Sequence, residues 1–430
     1  MLALREKLAQ QIPGLREEAR ELTKRHGDAV IAETTLAQVF GGMRGIKGLV
    51  CDTSVVDPDK GLYVRGIPIA ELAYCLPEEI FYLLCTGELP DREALAGLQQ
   101  DLRKRAQIPA YVWDVVEAMP IDSHPMTMFS TAILVMESES VFRRRYAEGM
   151  RKEEFWEATL EDSLQLLARL PGIAGGIYRR HARKGPPIVS DPSLDWGADY
   201  ARMLGLPDPE GNFARLLRLY LTLHCDHEGG NVSAFTCHTV GSALSDPYYA
   251  VSAGLNGLAG PLHGLANQEC LQFVLGIRRR FEGAPSDEQL REYAWNTLKE
   301  GRVIPGYGHA VLRITDPRFT AFHDFGAAVC PQDEIFRIVD RVFAIVPGVL
   351  RAQGKAKDPW PNVDAVSGAL LYHFGLTEFD YYTVLFGVSR ALGMCAQLII
   401  NRALGTPITR PKSVSTDWIK ATVGQTRQAA

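Results

Sequence analysis

A few short stretches of this chain concentrate side chains suited to proton and anion chemistry. In Gly301–Arg318, GRVIPGYGHAVLRITDPR, Arg302, Arg313 and Arg318 surround one imidazole, His309, with Asp316 as the only acid. Gly306 and Gly308 flank Tyr307 just before the histidine, and glycine lets backbone approach a ligand closely. The combination suits a small anion that undergoes proton chemistry, although arginine and glycine also populate ordinary loops. A second stretch runs His224-Cys225-Asp226-His227-Glu228-Gly229-Gly230-Asn231. Its ligand-type residues invite a metal, but structural metal patterns need a second ligand pair at a defined distance, and none follows. An imidazole bonded to an anionic substrate is the other reading.

Three more stretches carry ionisable groups in apolar settings. His263, in GLAGPLHGLANQE, immediately precedes a helical run. The positive end of a helix dipole disfavours imidazolium, so a neutral ring there can donate to a developing oxyanion. A capping or core histidine is the plain alternative. Asp364 follows the rigid approach Pro359-Trp360-Pro361-Asn362 and opens an apolar helix. It reads either as a first-turn residue or as a general base in a partly dry pocket. Upstream of it, Lys355 and Lys357 form a solvated face or meet phosphates. Arg390 sits in the apolar helix FGVSRALG, where an unpaired charge is costly, so it needs an internal acid or a ligand. No phosphate loop is present, because GVLRAQGKA has the wrong spacing and lacks the final Ser or Thr.

These residues need a scaffold, and the apolar spacing supplies helices. A charged helix is expected over residues 4–25, interrupted near Pro13-Gly14. Three- and four-residue recurrence marks 78–86, 91–106, 126–145, 153–169, 213–224, 265–280, 287–299, 333–346 and 380–404. A hairpin is expected in LYVRGIPI, beside the turn signal Asp57-Pro58-Asp59-Lys60-Gly61. Alternating patterns are otherwise rare, which predicts helix packed on helix. The 430 residues can hold one large core or two domains. The net charge of −5 excludes a generally basic nucleic-acid binder, so any anion site must rest on local arginines. No apolar run is read as long enough to span a bilayer, which takes about 20 residues, because the longest are broken by Pro347 or by Gly254, Gly257 and Gly260. The eight cysteines stand singly, as in a reducing compartment, and the acidic N-terminal stretch fits neither a secretory signal nor a transit peptide. A cytoplasmic protein is expected. The sequon Asn231-Val232-Ser233 is then a coincidence.

Taken together, DHEGGNVSA, GLAGPLHGLANQE, PGYGHAVLR-x-TDPR, KAK-x-PWPNVDA, YYTVLFGVSRALG and RPKS-x-STD resemble citrate synthase of the type found in animal mitochondria and some bacteria. The likeness is dense from Leu223 to Trp418 and continues upstream through GGMRGIKGLV, ETTLAQ, YAEGM and LDW. It implies an all-α homodimer with a large domain (1–262 and 370–430) and a mobile small domain on the CoA side (263–369). It also implies condensation of acetyl-CoA with oxaloacetate to citrate and CoA, with acetyl-CoA a substrate and no separate cofactor or metal. By motif, His263, His309 and Asp364 become catalytic, and His227, Arg318 and Arg390 hold oxaloacetate. Arg410 falls where the partner subunit contributes an arginine. Arg44, Arg313, Lys355, Ala356, Lys357 and Asn362 fall on the CoA side, with Lys152 where an arginine is usual. Phe235 and Cys237 replace more polar residues. The expected location is a bacterial cytoplasm, or the mitochondrial matrix for a processed form. The rivals are a 2-methylcitrate synthase using propionyl-CoA, a metal-dependent hydrolase built on His224–Glu228, and a non-catalytic CoA-binding regulator.

Overall fold

A computed structural model describes residues 3–309 and 311–428, so Ala310 of the GYGHAVLR motif lies outside the described residues. The chain opens with α1 (Leu4–His26) and α2 (Leu36–Phe40), then β1 (Ser54–Asp57), β2 (Gly61–Val64) and β3 (Ile67–Pro68). Next come α3 (Ile69–Leu72), α4 (Pro77–Thr86), α5 (Arg92–Arg105), α6 (Ala110–Ala118), α7 (Pro125–Val135) and α8 (Val141–Ala147). The long α9 (Phe155–His181) leads to α10 (Trp196–Leu204), α11 (Asn212–Leu223), α12 (Val232–Ser242) and α13 (Pro247–Leu258). The series ends with α14 (Ala266–Phe281), α15 (Asp287–Lys299), α16 (Pro317–Val329), α17 (Glu334–Gln353), α18 (Asp364–His373), α19 (Tyr382–Leu404) and α20 (Thr416–Gln428). The fold is all-α with one small sheet.

The expected hairpin forms between β2 and β3, and DPDKG joins β1 to β2. Arg65 and Gly66 turn the hairpin at φ 49° and 81°, the positive pair that matches strand twist in a two-residue loop. Prolines expected to interrupt or end helices do not. Pro13 lies inside α1, Pro171 inside α9 and Pro347 inside α17, so these helices run further than the breaker signals suggest. An internal proline loses one hydrogen bond and crowds the preceding turn, at about 3 kcal/mol. Here the flanks are held by burial: Leu8 and Ile12, Leu170 and Ile173, and Val346 and Val349 are each 2% exposed or less. Conversely, the helix expected over 126–145 breaks into α7, a tight turn at Met136–Glu139, and α8. α2, α6, α10, α12, α13, α16 and α20 are additions. The glycines that hid α13 are packing positions, since a Cβ on Gly254 would meet Met394 Sδ at 2.7 Å and Ser233 O at 2.8 Å.

α19 is the axle of the larger layer, packed by α4, α9, α11, α12 and α13. Phe379–Leu404 is long and apolar enough to cross a membrane, at a mean hydropathy of 1.6, which corrects the expectation that no such run exists. It is 89% buried inside the protein, as a core helix is. Helices α14 to α18 pack chiefly on one another, α14 on α17 and α18, and α15 on α17. The expected boundary at 369/370 falls inside α18, which runs unbroken to His373.

Candidate active site

The loop from His224 to Asn231 joins α11 to α12 and is fixed by its own acids. Asp226 is fully buried and accepts from Thr53 Oγ1 (2.5 Å), Ser54 Oγ (2.9 Å) and Gln397 Nε2 (2.8 Å). Glu228 turns to β1, accepting from Val56 N–H at 2.7 Å. Gly393 of α19 lets the loop sit this close, because its N–H donates to Cys225 O and a Cβ would meet Asp226 Oδ1 at 2.5 Å. His224 is buried, stacked on Tyr220 with ring centroids 4.1 Å apart and its Nδ1 against Tyr220 O. With its neighbours committed, His227 is the ring left to face His309, at a centroid distance of 5.7 Å. Among the described residues no group of three or more His, Cys, Asp and Glu stands ready to hold a metal. The metal-dependent hydrolase reading therefore loses its ligand set.

The two other histidines are neutral, with protons on opposite nitrogens. His309 Nδ1 accepts from the N–H groups of Val311 (3.0 Å) and Leu312 (2.9 Å), leaving Nε2–H to donate. Burial and Arg318 push its pKa down to about 4. His263 Nε2 accepts from Ser233 N–H at 3.2 Å, with Ser233 Oγ 2.9 Å away, leaving Nδ1–H to donate. Its pKa is also pushed down to about 4, by burial and then Arg390. The ring stands in the turn before α14, whose first residue is Ala266, where the sequence placed it.

Asp364 opens α18, its N–H bonded to Asn362 Oδ1 at 3.0 Å. Burial pushes its carboxyl up to about 6, against the opposing pull of Arg318 and Arg390. Asn362 positions it: its N–H donates to Gly306 O (2.9 Å) and its Nδ2 to Gly308 O (3.3 Å), tying α18 to the glycine-flanked turn before His309. Gly306 is needed there, at φ 79°, because a Cβ would meet Cys270 Sγ at 2.7 Å and Ala365 Cα at 2.9 Å.

Two buried guanidinium groups supply the anion field. Arg318, 4% exposed, is held by Asp316 through Nε (3.0 Å) and Nη2 (2.7 Å). Burial works against both charges, but the pairing outweighs it, lowering the Asp316 pKa and raising that of Arg318. Arg390, 2% exposed, has no such carboxylate fork. It bonds His224 O (3.1 Å) and Asn231 Oδ1 (3.2 Å), lies 4.7 Å from the Phe386 ring centre, and is pushed down to about 10 by burial. The buried carboxylate of Asp226 acts on it through its field, with no ion pair between the two among the described residues, so an internal acid meets the charge in part and a ligand can meet the rest.

Three residues at the site were named in the sequence without a role there. Asn231 caps α12 and also bonds His227 O, Glu228 O and Arg390, so the sequon amide is already engaged. Ser233 sets the His263 tautomer, and Asp316 aims Arg318. In sequence the first two look like an ordinary cap and first turn, and the third like loop composition.

Of the other expected residues, Arg313 stays beside this centre, its Nη1 donating to His309 O at 3.4 Å and its charge helping to lower the His309 pKa, while the rest are exposed. Arg313 too is exposed, its Nη1 also on Leu312 O (2.6 Å) and its N–H on Pro58 O (2.8 Å), and its charge reaches Asp358. Lys355, Ala356 and Lys357 form an exposed run after α17. Arg44 is exposed in the turn after α2, and Lys152 is exposed beside the start of α9. Arg410 is exposed as well. Its neighbour Thr409 bonds His238 and Ser242 at the far end of α12, about 15 Å along the helix from Asn231. The single chain does not bring Arg410 to the site. Arg302 pairs with Glu300 on the surface.

A family model described as citrate synthase, C-terminal domain, matches residues 42–412. Mitochondrial citrate synthase of Xiphias gladius is 50% identical over 432 residues, covering 98% of this chain and 92% of the relative. That of Saccharomyces cerevisiae is 50% identical over 430 residues, covering 98% and 89%. Among solved structures, citrate synthase from Pyrobaculum aerophilum is 28% identical with a TM-score of 0.78, covering 87% of this chain and 92% of that one.

Proposed function

The chain belongs to the citrate synthase family, and we propose that His263, His309 and Asp364 carry the chemistry of that family's reaction. The reaction is an acyl transfer with conversion to alkyl: acetyl-CoA, oxaloacetate and water give citrate and CoA. A carboxylate is a poor base for a thioester methyl unless the oxygen that gains charge is stabilised at the same moment. Asp364 takes the methyl proton while His263 Nδ1–H donates to the thioester oxygen. The enolate carbon attacks the ketone carbon of oxaloacetate, and His309 Nε2–H donates to the oxygen that becomes the alkoxide. Water then cleaves the citryl thioester and CoA leaves. These steps use side chains alone, and no cofactor or metal is invoked.

His227, Arg318 and Arg390 hold the oxaloacetate carboxylates, arginine being suited by its planar fork. Arg313, Lys355–Lys357, Asn362 and Arg44 form the CoA side, with Lys152 as a phosphate contact. Residues 263–369, with the rest of α18, act as a small domain that closes over oxaloacetate. A homodimer supplies Arg410 across the interface. The relatives from Xiphias gladius and Saccharomyces cerevisiae are mitochondrial enzymes, which supports the matrix as the location over the cytoplasm.

The observation that carries this reading is the pair of imidazoles with opposite tautomers, set with Asp364 in the fields of Arg318 and Arg390. A thiol-release assay tests it. CoA thiol appears from acetyl-CoA only when oxaloacetate is added, faster than from propionyl-CoA, and chelator has no effect. Release without oxaloacetate, preference for propionyl-CoA, or loss in chelator would overturn the assignment. The relatives do not favour the propionyl-CoA alternative, whose one extra methylene is worth about 1–3 kcal/mol in a pocket.

A further inference from the structure

The end of α12 remote from the active site holds a hydrogen-bonded clamp on the segment after α19. His238, half-buried, uses both ring nitrogens. Nδ1 accepts from Asn401 Nδ2 at 2.9 Å, which leaves Nε2–H to donate to Thr409 Oγ1 at 2.8 Å. Burial lowers the His238 pKa and so favours the neutral ring that this pattern needs. Thr409 N–H donates in turn to Ser242 Oγ (2.9 Å), whose own proton goes to Thr239 O (2.7 Å). Asn401 O accepts from Thr406 N–H and Oγ1, both at 3.1 Å, so the turn out of α19 at Gly405 is tied to the same point. The two helices meet this closely because Gly241 has no side chain: a Cβ there would stand 2.3 Å from Leu398 Cδ2.

The clamp ends at Thr409. From Arg410 to Val414 no hydrogen bond or ion pair joins the segment to another described residue, and the next bonds are those of Ser415 at the start of α20. Thr409 therefore fixes the point from which Arg410 projects, because consecutive Cα atoms are about 3.8 Å apart. Ordering an irregular segment in advance removes that entropy loss from the binding step. At its other end α12 serves its own chain's site, through Asn231 on Arg390 and Ser233 on His263.

We propose that His238 is a positioning residue for the partner subunit's active site, holding Thr409 so that Arg410 is presented across the interface. The inference rests on the reading that Arg410 completes the partner's site. One helix then serves two sites, its own chain's at the N-terminal end and the partner's at the C-terminal end.

Thiol release with oxaloacetate varied tests this on purified mixed dimers, each chain carrying its own affinity tag. The His238→Leu homodimer shows an oxaloacetate KM raised at least tenfold and an acetyl-CoA KM within twofold of wild type; a contact displaced by about 1 Å can cost on the order of a hundredfold. His238→Gln, which keeps an N–H for Thr409, recovers most of the loss. Paired with an Asp364→Asn chain, His238→Leu leaves one complete site, because that site's Arg410 comes from the chain with His238 intact. Oxaloacetate KM in this mixed dimer returns to within twofold of wild type, at about half the wild-type turnover. A disturbance of α12 itself would instead act on the site of the same chain. A KM still raised in the mixed dimer, while the Arg410→Ala and Asp364→Asn pair is restored, would overturn the inference alone. No restoration in either pair would remove the reading of Arg410 and the inference with it. Equal loss in His238→Leu and His238→Gln, or none in either, would also overturn it. If His238→Leu does not fold, Thr409→Val removes the same bond from the other side and takes its place in the same pairs.

Discussion

Opposite tautomers at His263 and His309 give the site two N–H donors that no acid can use up near neutral pH. Each ring is made neutral by burial and a nearby guanidinium, Arg390 for one and Arg318 for the other, which move both pKa values down to about 4. Asp364 moves the other way, up to about 6 by burial. Proton abstraction needs Asp364 ionised and both rings neutral. The sign follows: lowering the pH through 6 protonates the base before it charges either imidazole. A profile of kcat/KM against pH should fall about tenfold per unit just below pH 6, with a slope of one, steepening only as pH approaches 4. A limb centred on an ordinary histidine pKa of about 6.5 with loss on its alkaline side would contradict the neutral-donor roles. At this scale His227, His263, His309, Asp364, Arg318 and Arg390 were legible, because their residue types are scarce in apolar or glycine-rich settings. Asn231, Ser233 and Asp316 were not, since their hydrogen bonds join segments remote in sequence.

The elements matter as rigid mounts. α18 presents Asp364 on its first residue, and the turn at Gly306 docks against that helix through Asn362. Gly306→Ala introduces a Cβ against Cys270 and Ala365 in a left-handed backbone. The conformation alone costs about 1–2 kcal/mol, and relief of the clash shifts the start of α18. The expected result is a lower melting temperature and a kcat reduced at least tenfold, with oxaloacetate affinity nearly unchanged; calorimetry beside the thiol-release assay checks both. Helix existence was readable where apolar periodicity was strong, as in α11 and α17. It failed where Gly or Pro was read as a breaker: Gly254 and Gly257 serve close packing of α13, and Pro171 is carried by a helix buried on both sides of it. Likewise α19 is apolar because its surroundings are helices, not lipid.

In the whole molecule, Arg410 is the residue whose proposed role a single chain cannot fulfil. Its segment follows the far end of α12, away from Asn231 and Arg390. If the partner supplies it, mixed dimers of an Arg410→Ala chain and an Asp364→Asn chain contain one complete site. Co-expression should then restore on the order of a quarter of wild-type turnover from two nearly inactive parents, by random pairing. No restoration would place Arg410 in its own chain's site or remove it from catalysis. The motif likeness pointed to this arrangement, because an exposed arginine in an irregular segment carries no local signal of a partner. The central claim is that Asp364 removes the acetyl proton. Its most direct test is Asp364→Asn, followed by oxaloacetate titration and thiol release on the same preparation. Oxaloacetate affinity should stay within a few-fold of wild type while turnover falls by roughly a thousandfold, within the range of about 10²–10⁴ for loss of a general base. Near-normal turnover with oxaloacetate bound would show that another group is the base.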